Sequence, residues 1–378
     1  KTYKINPWST LFNSASENER VGYDNSENIN YQGGFGQVEY SNDIFSAFVQ
    51  GAISNQSYQK FDRWNYNADH KDVVSGDVRL KGREARSSVR NDFGWNIKGG
   101  VAVNISEENK LFVNAGKYSR QPFLDNVFLQ NTVDFVDPEV GNEEILGLEA
   151  GYKYVTRDLK VNVNAYYTKW ENRADSYTAR DFEHEGVSYR NVRYLLSDLT
   201  QVHKGIEVDF DARVTRDWSL RGYASAGDWK YDGDFNYRIQ DSDTGNVIDG
   251  TADRKSLDGV KVGNAAQFTF GLGTKVKVAK GLSFDTDFNY YARLYGNVDV
   301  ADVAKAQING LEYKNESISP YALVDLGATY EFKFGAQKIK FRGNIKNLFN
   351  DQYIGRKDAY GYFYGLGRTW NAGVTYNF

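Results

Sequence analysis

The last ten residues, Thr369-Trp370-Asn371-Ala372-Gly373-Val374-Thr375-Tyr376-Asn377-Phe378, alternate without a break. Even positions carry Trp370, Ala372, Val374, Tyr376 and Phe378, and odd positions carry Thr369, Asn371, Gly373, Thr375 and Asn377. A period of two sends successive side chains to opposite faces of a strand, so one face here is apolar and the other polar. The pattern recurs upstream. Ile339, Phe341, Gly343 and Ile345 oppose Lys338, Lys340, Arg342, Asn344 and Lys346. Val324, Leu326, Ala328, Tyr330 and Phe332 oppose Asp325, Thr329, Glu331 and Lys333. Leu282, Phe284, Phe288 and Tyr290 alternate with Asp285, Asp287 and Asn289; Ile206, Val208, Phe210 and Ala212 oppose Glu207, Asp209, Asp211 and Arg213; Phe93, Trp95, Ile97, Val101 and Val103 oppose Asn96, Lys98 and Asn104.

A sandwich with one wet face per sheet gives the same alternation. Connection length separates the alternatives. Short joints at 41–43, 106–109, 156–158, 215–217, 279–281 and 335–337 alternate with long gaps at 9–30, 62–91, 119–142, 172–199, 232–263, 296–320 and 349–365. Tight turns on one side and long loops on the other are the habit of outer-membrane barrels. Long loops without structure are uncommon in ordinary domains. The expected fold is all-β, a transmembrane antiparallel barrel with about 13 strands in this chain, or 14 if Lys1–Ile5 adds a stub.

Composition agrees by exclusion. The 378 residues hold 46 basic and 50 acidic side chains, 46 − 50 = −4, so no basic field points to nucleic acid. Cysteine is absent, which removes disulfides, thiolate metal sites and cysteine nucleophiles. The mean hydropathy is −0.63, and no apolar run reaches the roughly 20 residues of a membrane helix. Barrel strands hide from that average because half of each is polar. Methionine is also absent. The expectation is a processed product or a piece of a longer chain.

Several segments, in order, resemble TonB-dependent outer-membrane transporters. They are Ser119-Arg120-Gln121-Pro122-Phe123, Val136-Asp137-Pro138-Glu139, Glu144 through Lys153 (EILGLEAGYK), Val161 through Trp170, Lys204-Gly205-Ile206-Glu207, Asn347-Leu348-Phe349-Asn350 with Tyr353, and Gly365-Leu366-Gly367-Arg368 leading into the final strand. The resemblance implies a barrel of about 22 strands filled by an N-terminal plug. This chain would be its C-terminal portion, spanning 1–378, with the plug, first strands and energy-coupling segment outside it. Trp370, Val374, Tyr376 and Phe378 would be the membrane-assembly signal. The implied setting is a bacterial outer membrane, with long loops extracellular and the C-terminus periplasmic. Implied partners are the lipid bilayer and lipopolysaccharide, the plug and upstream strands, a TonB-type coupling protein, a small-molecule or peptide ligand and a surface lipoprotein. The expected function is uptake of a scarce nutrient: an iron chelate, a cobalamin-like molecule or a peptide. A passive 14-stranded channel and a surface adhesin or structural barrel are the alternatives.

Catalysis has little support. His70, His184 and His203 are the three histidines, the first two in loops and the third beside a strand start, all read as solvent-exposed, and no G-x-S-x-G elbow accompanies them. The expectation is no enzyme and no resident cofactor. Asp241 and Asp243, with Gly245, have the spacing of a weak loop calcium site, although a polar turn explains them equally. Gly271 and Gly273 lie inside an alternating strand and read as inner-wall positions approached by a neighbour. Loop aromatics are the ligand candidates: Tyr177, Tyr189 and Tyr194; Trp229, Tyr231 and Tyr237; Tyr360, Tyr362, Phe363 and Tyr364. They could stack on a ligand or simply pack the loops. Lys98, Glu149, Lys153, Glu207, Asp209, Arg221, Asp285, Asp287, Arg293 and Arg342 are expected on the inner wall, where mixed charge suits plug docking.

Overall fold

The computed structural model describes residues 8, 11–12, 24–63, 79–81, 84–128, 132–136, 139–179, 182–241, 246–250, 255–298, 303, 311–335, 337–358 and 360–377. The long strands are β1 (Asn25–Ser41), β2 (Phe45–Asp62), β3 (Arg90–Asn104), β4 (Asn109–Arg120), β5 (Glu143–Val155), β6 (Leu159–Ala179) and β7 (Val192–Arg213). They continue with β8 (Trp218–Tyr231), β9 (Phe268–Ala279), β10 (Leu282–Ala292), β11 (Tyr321–Phe334), β12 (Gln337–Lys346) and β13 (Thr369–Asn377). Each pairs antiparallel with the next, an unbroken up-and-down meander. Five short strands at the loop end enlarge the sheet to 18. Among the described residues no ladder joins β1 to β13. The proposed stub at Lys1–Ile5 lies outside the described residues.

The short joints close with local turn chemistry. Asn42 Oδ1 accepts from the amides of Ile44 (2.9 Å) and Phe45 (2.8 Å), and Thr156 Oγ1 accepts from Leu159 N (3.1 Å). Gly281 and Gly335 take φ of +78° and +63°, a region that favours glycine. The long gaps are less bare than the sequence suggested. Strands β6 and β7 run on to Ala179 and from Val192, and 232–263 contains strands at Asp234–Asp241, Val247–Asp249 and Lys255–Ser256. The gap 349–365 is a hairpin, Ile354–Asp358 with Gly361–Tyr364. These pieces pair with other loop segments, and irregular burial there gives no period of two.

Register fixes two faces. One cross-strand row reads Val161, Phe210, Gly222, Leu272, Phe288, Val324. The row one residue along reads Lys160, Asp211, Arg221, Gly273, Asp287, Asp325. The first is apolar, with Leu272 and Phe288 exposed, a surface suited to lipid. The second is the inner wall, because its side chains converge enough to bond past an intervening strand. Fully buried apolar side chains are instead at the loop end. Val192, Tyr194, Leu196, Leu199, Phe235, Ile239, Leu257, Val260 and Val303 form one cluster; Tyr58, Leu124, Val127 and Phe128 form another. The core of this protein belongs to its loops, since a barrel wall has water on one side and lipid on the other.

Candidate functional site: inner wall and loop-end vestibule

Near the turn end, Arg221 of β8 reaches across β9 to Asp287 of β10, with Nη2 2.7 Å from Oδ1 and 2.9 Å from Oδ2. It passes over Gly273, where a Cβ would lie 2.4 Å from Asp287 Oδ1 and 2.7 Å from Arg221 Nε. Arg342 of β12 likewise grips Asp285 of β10 across Gly327 of β11, with Nη2 2.7 Å from Oδ2. Tyr223 passes over Gly271 to donate to Asn289 (3.0 Å). Glycine on the middle strand is what lets these side chains span two strand spacings, about 10 Å. Lys160, Asp211, Arg221, Lys275, Asp285 and Arg342 help line a cavity of about 530 Å³ there.

The other wall candidates occupy the same inner face. Glu149 accepts from Asn114 Nδ2 (3.0 Å), and Asp209 from Asn162 Nδ2 (2.7 Å). Lys98 stands between Gln50 and Gly116, Lys153 opposite Lys110 and Asn162, and Glu207 opposite Asn164 and Ser225. Arg293 is a correction. It follows β10 with φ +56°, at the break before Leu294–Tyr295, and is exposed, so it is not on the wall ladder. On β13, Trp370, Val374 and Tyr376 share the apolar face with Ile345, Phe341 and Ile339; Phe378 lies outside the described residues.

At the loop end the inner face turns aromatic. Trp170 of β6, His203 of β7 and Trp229 of β8 stack in a row, with ring centroids 6.2 Å and 5.6 Å apart and planes within 24° and 18°. The exposed loop reading of His203 is thus overturned. Its partners come from two other strands, and a strand's own sequence does not reveal them. Trp229 Nε1 donates to Tyr166 Oη (2.8 Å), and buried Gln267 clamps the Trp229 backbone by donating to its carbonyl (2.8 Å). Two guanidiniums flank Trp170, Arg173 at 5.1 Å and Arg120 at 5.9 Å from the ring. Glu143 bonds Arg120 and lies 3.6 Å from Arg173. A second inward stack, Tyr291–Tyr321–Tyr353, has centroids 4.9 Å and 4.1 Å apart.

The remaining loop aromatics divide. Tyr189, Tyr231 and Tyr237 pack against the large loop cluster and Tyr194 is buried in it, so these serve packing rather than an open site. Tyr177 pairs with Tyr194; its side chain lies outside the described residues, as does Asp243 of the calcium candidate. Asp241 ends its strand with its amide on the Asn246 carbonyl (2.9 Å). In the last hairpin Tyr360 and Tyr364 are open to solvent, while Phe363 lies under Arg356, 4.1 Å from ring centroid to guanidinium. Tyr362 donates to Glu316 (2.6 Å), which also accepts from Lys357 (2.5 Å). Those bonds hold Glu316 below the usual carboxylate range and raise both Lys357 and Tyr362.

The sequence motifs prove to be staples. Tyr58 Oη donates to the Pro122 carbonyl (2.6 Å), and Gln121 Nε2 donates to Ser54 Oγ (2.8 Å). Asn347 and Asn350 adopt φ +50° and +58°. Asn347 Nδ2 donates to Asp351 O (2.9 Å), and Asn350 Oδ1 accepts from Arg368 N (2.8 Å), closing the base of the last loop. Gly365 is required beside them, because a Cβ would lie 1.9 Å from the Tyr353 ring.

A meander with a lipid-compatible outside, a charged inside and loop-borne cores is the wall of an outer-membrane type barrel. The sequence matches the family described as TonB dependent receptor-like, beta-barrel, over residues 2–348, and the chain belongs to that family. Its fold is similar to the ferric-catecholate import receptor Fiu of E. coli K12 (TM-score 0.60, 15% identity, 95% of this chain and 46% of that one). It is also similar to the siderophore receptor PiuA of Acinetobacter baumannii (0.64, 14%, 94% and 44%) and the copper transporter OprC (0.60, 13%, 92% and 48%). The chain thus spans about half the length of these solved structures. Comparison with curated proteins finds no match. Family and fold are those of outer-membrane receptors and transporters rather than enzymes.

Proposed function

We propose that this protein captures an iron chelate at the loop-end vestibule and belongs to a plugged barrel that imports it with energy from a TonB-type partner. The observation that carries this reading is the inward row Trp170–His203–Trp229 flanked by Arg120 and Arg173. Planar rings and guanidiniums suit an anionic, aromatic-rich chelate. Two of the similar structures named above are siderophore or ferric-catecholate receptors, which supports the same class. In this reading the long loops face the exterior, the turn-end charges dock the plug, and the free edges of β1 and β13 pair with further strands of the same barrel.

The test uses the full-length receptor with a ferric tricatecholate as probe. Trp229→Ala and Arg120→Ala each weaken binding about five- to tenfold, and collapse of the proton gradient abolishes uptake. Unchanged binding in both variants, or uptake indifferent to the gradient, overturns the proposal.

A further inference from the structure

The loop 232–263 contains three Asp-Gly steps that ligand capture leaves unused: Asp232-Gly233, Asp249-Gly250 and Asp258-Gly259. Their glycines take φ of +75°, +109° and +77°. A glycine amide has no neighbouring Cβ to keep it from the carboxyl that precedes it, so these are the steps at which a chain most easily reacts with itself. The three amides point in different directions. Gly259 N donates to the Tyr231 carbonyl (3.1 Å) and Gly233 N to Asp258 Oδ1 (3.4 Å), each away from its own preceding aspartate. Gly250 N donates instead to Oδ1 of Asp249, the carboxyl next to it in the chain, at 2.7 Å.

The surroundings hold that contact in place. Asp249 ends the strand Val247–Asp249 and pairs with Ile239 across a register shift. Tyr237 Oη donates to the other carboxyl oxygen, Oδ2 (3.2 Å), so the group is gripped from two sides. A Cβ on Gly250 would strike the Tyr237 carbonyl and Arg238 Cα, so the turn admits only the residue with the least shielded amide. Among the described residues Asp175 also accepts from the amide that follows it, Ser176 N at 2.9 Å. Those two residues are fixed in the β6–β7 ladder opposite Leu196 and Leu195, and Ser176 carries a side chain, so ring closure there is opposed twice.

We propose that Asp249-Gly250 is a self-modification site, where the folded receptor converts its own chain to isoaspartate. Gly250 N attacks Asp249 Cγ and a C–N bond forms. The hydroxyl of the protonated carboxyl leaves with the amide proton as water, closing a five-membered succinimide. Tyr237, donating to Oδ2, marks that oxygen as the one that departs. One water then opens the ring. Attack at the Asp249 main-chain carbonyl gives isoaspartate, with the chain running through Cγ, and attack at Cγ restores aspartate. Net composition is unchanged, and no oxidant or reductant takes part. The isomer has one more carbon in its main chain, so residues 249 and 247 lose their register with Ile239 and Gln240, and Ile248 loses its seat against the large loop cluster.

The experiment ages the full-length receptor, folded in detergent micelles at mildly acid pH, beside a sample kept unfolded in urea. After digestion, isoaspartate at each of the three steps is measured by mass spectrometry with electron-transfer fragmentation. In the folded receptor residue 249 converts at least about tenfold faster than residues 232 and 258, because only there are the reacting groups held together. In urea the three convert at similar rates. Ageing also accelerates proteolysis within 232–263 in the unaltered receptor and not in Asp249→Glu, whose longer side chain cannot close the five-membered ring. Heat-shifted electrophoretic mobility reports folding, and if Asp249→Glu does not fold, the three-site comparison on the unaltered receptor decides. Equal conversion at the three steps in the folded receptor, the same ranking in urea, absence of isoaspartate at 249, or equal acceleration of proteolysis in folded Asp249→Glu overturns the proposal.

Discussion

Replacing Gly327 with alanine tests how the inner wall is held. The added Cβ would sit 2.3 Å from Arg342 Nη2 and 2.5 Å from Asp285 Oδ2, well inside contact distance. Both groups are ends of flexible side chains, so they swing aside rather than displace the backbone. The loss is then the bidentate pair itself. The side chains of Arg342 and Asp285 are 33% and 17% exposed, so solvent screens part of it. Two charge-assisted hydrogen bonds, discounted for that exposure, are worth about 1–2 kcal/mol. Gly343, on neighbouring β12, is the internal comparison: its added Cβ meets nothing within 4 Å. Alanine there is neutral or stabilises by up to about 1 kcal/mol, through the smaller conformational freedom of the unfolded chain. The assay is urea unfolding of the receptor in lipid vesicles, followed by tryptophan fluorescence, with Gly327→Ala, Asp285→Asn and the double variant forming a cycle. The ion pair over the glycine predicts that the double variant is about as unstable as the worse single one. Fully additive losses, or equal shifts for Gly327→Ala and Gly343→Ala, would refute the reasoning.

Three further outcomes follow from the loop end. Phe235 is buried in the large loop cluster, and Phe235→Ala costs that cluster about 3–5 kcal/mol; proteolysis within 232–263 accelerates while the heat-shifted mobility of the barrel is retained. Tyr58→Phe leaves the Pro122 carbonyl without its donor, at a cost of about 1–2 kcal/mol, seen as faster amide exchange in 121–128 and not in β9–β13. The hairpin 354–364 is tied down through Glu316, whose pKa is depressed, so its contribution is present above the ordinary carboxylate range and lost as pH falls through the lowered value. Lys357 and Tyr362 are raised, so theirs is lost as pH rises through the raised values; hydrogen exchange of the hairpin should be flat around neutrality, faster at both extremes, and fast at every pH in Glu316→Gln.

The wall was legible in the sequence because a strand between lipid and water must alternate residue by residue, and residues 206–213 of β7 and all of β13 do so without interruption. The short turns were legible for the same kind of reason, since Asn42, Thr156, Gly281 and Gly335 carry local turn chemistry. The loop strands were not. Asp234–Asp241 is buried on parts of both faces by other loop segments, which erases the period. His203 looked like an exposed loop residue because its stacking partners, Trp170 and Trp229, are brought to it by register. Arg293 was misplaced since one left-handed residue breaks the ladder after Ala292. Tyr189 and Tyr231 read as ligand aromatics by composition, yet the loops need a core of their own and take them for it.

The central claim is that each wall strand divides lipid from water residue by residue. The chain contains no cysteine, so single cysteines placed in turn at positions 206 to 211 of β7 in the membrane-embedded receptor can be spin-labelled and their contact with lipid-dissolved oxygen and with a water-soluble relaxer compared. The account predicts lipid contact at 206, 208 and 210 and water contact at 207, 209 and 211. A flat profile across the six positions, or water contact at 206, 208 and 210, contradicts it.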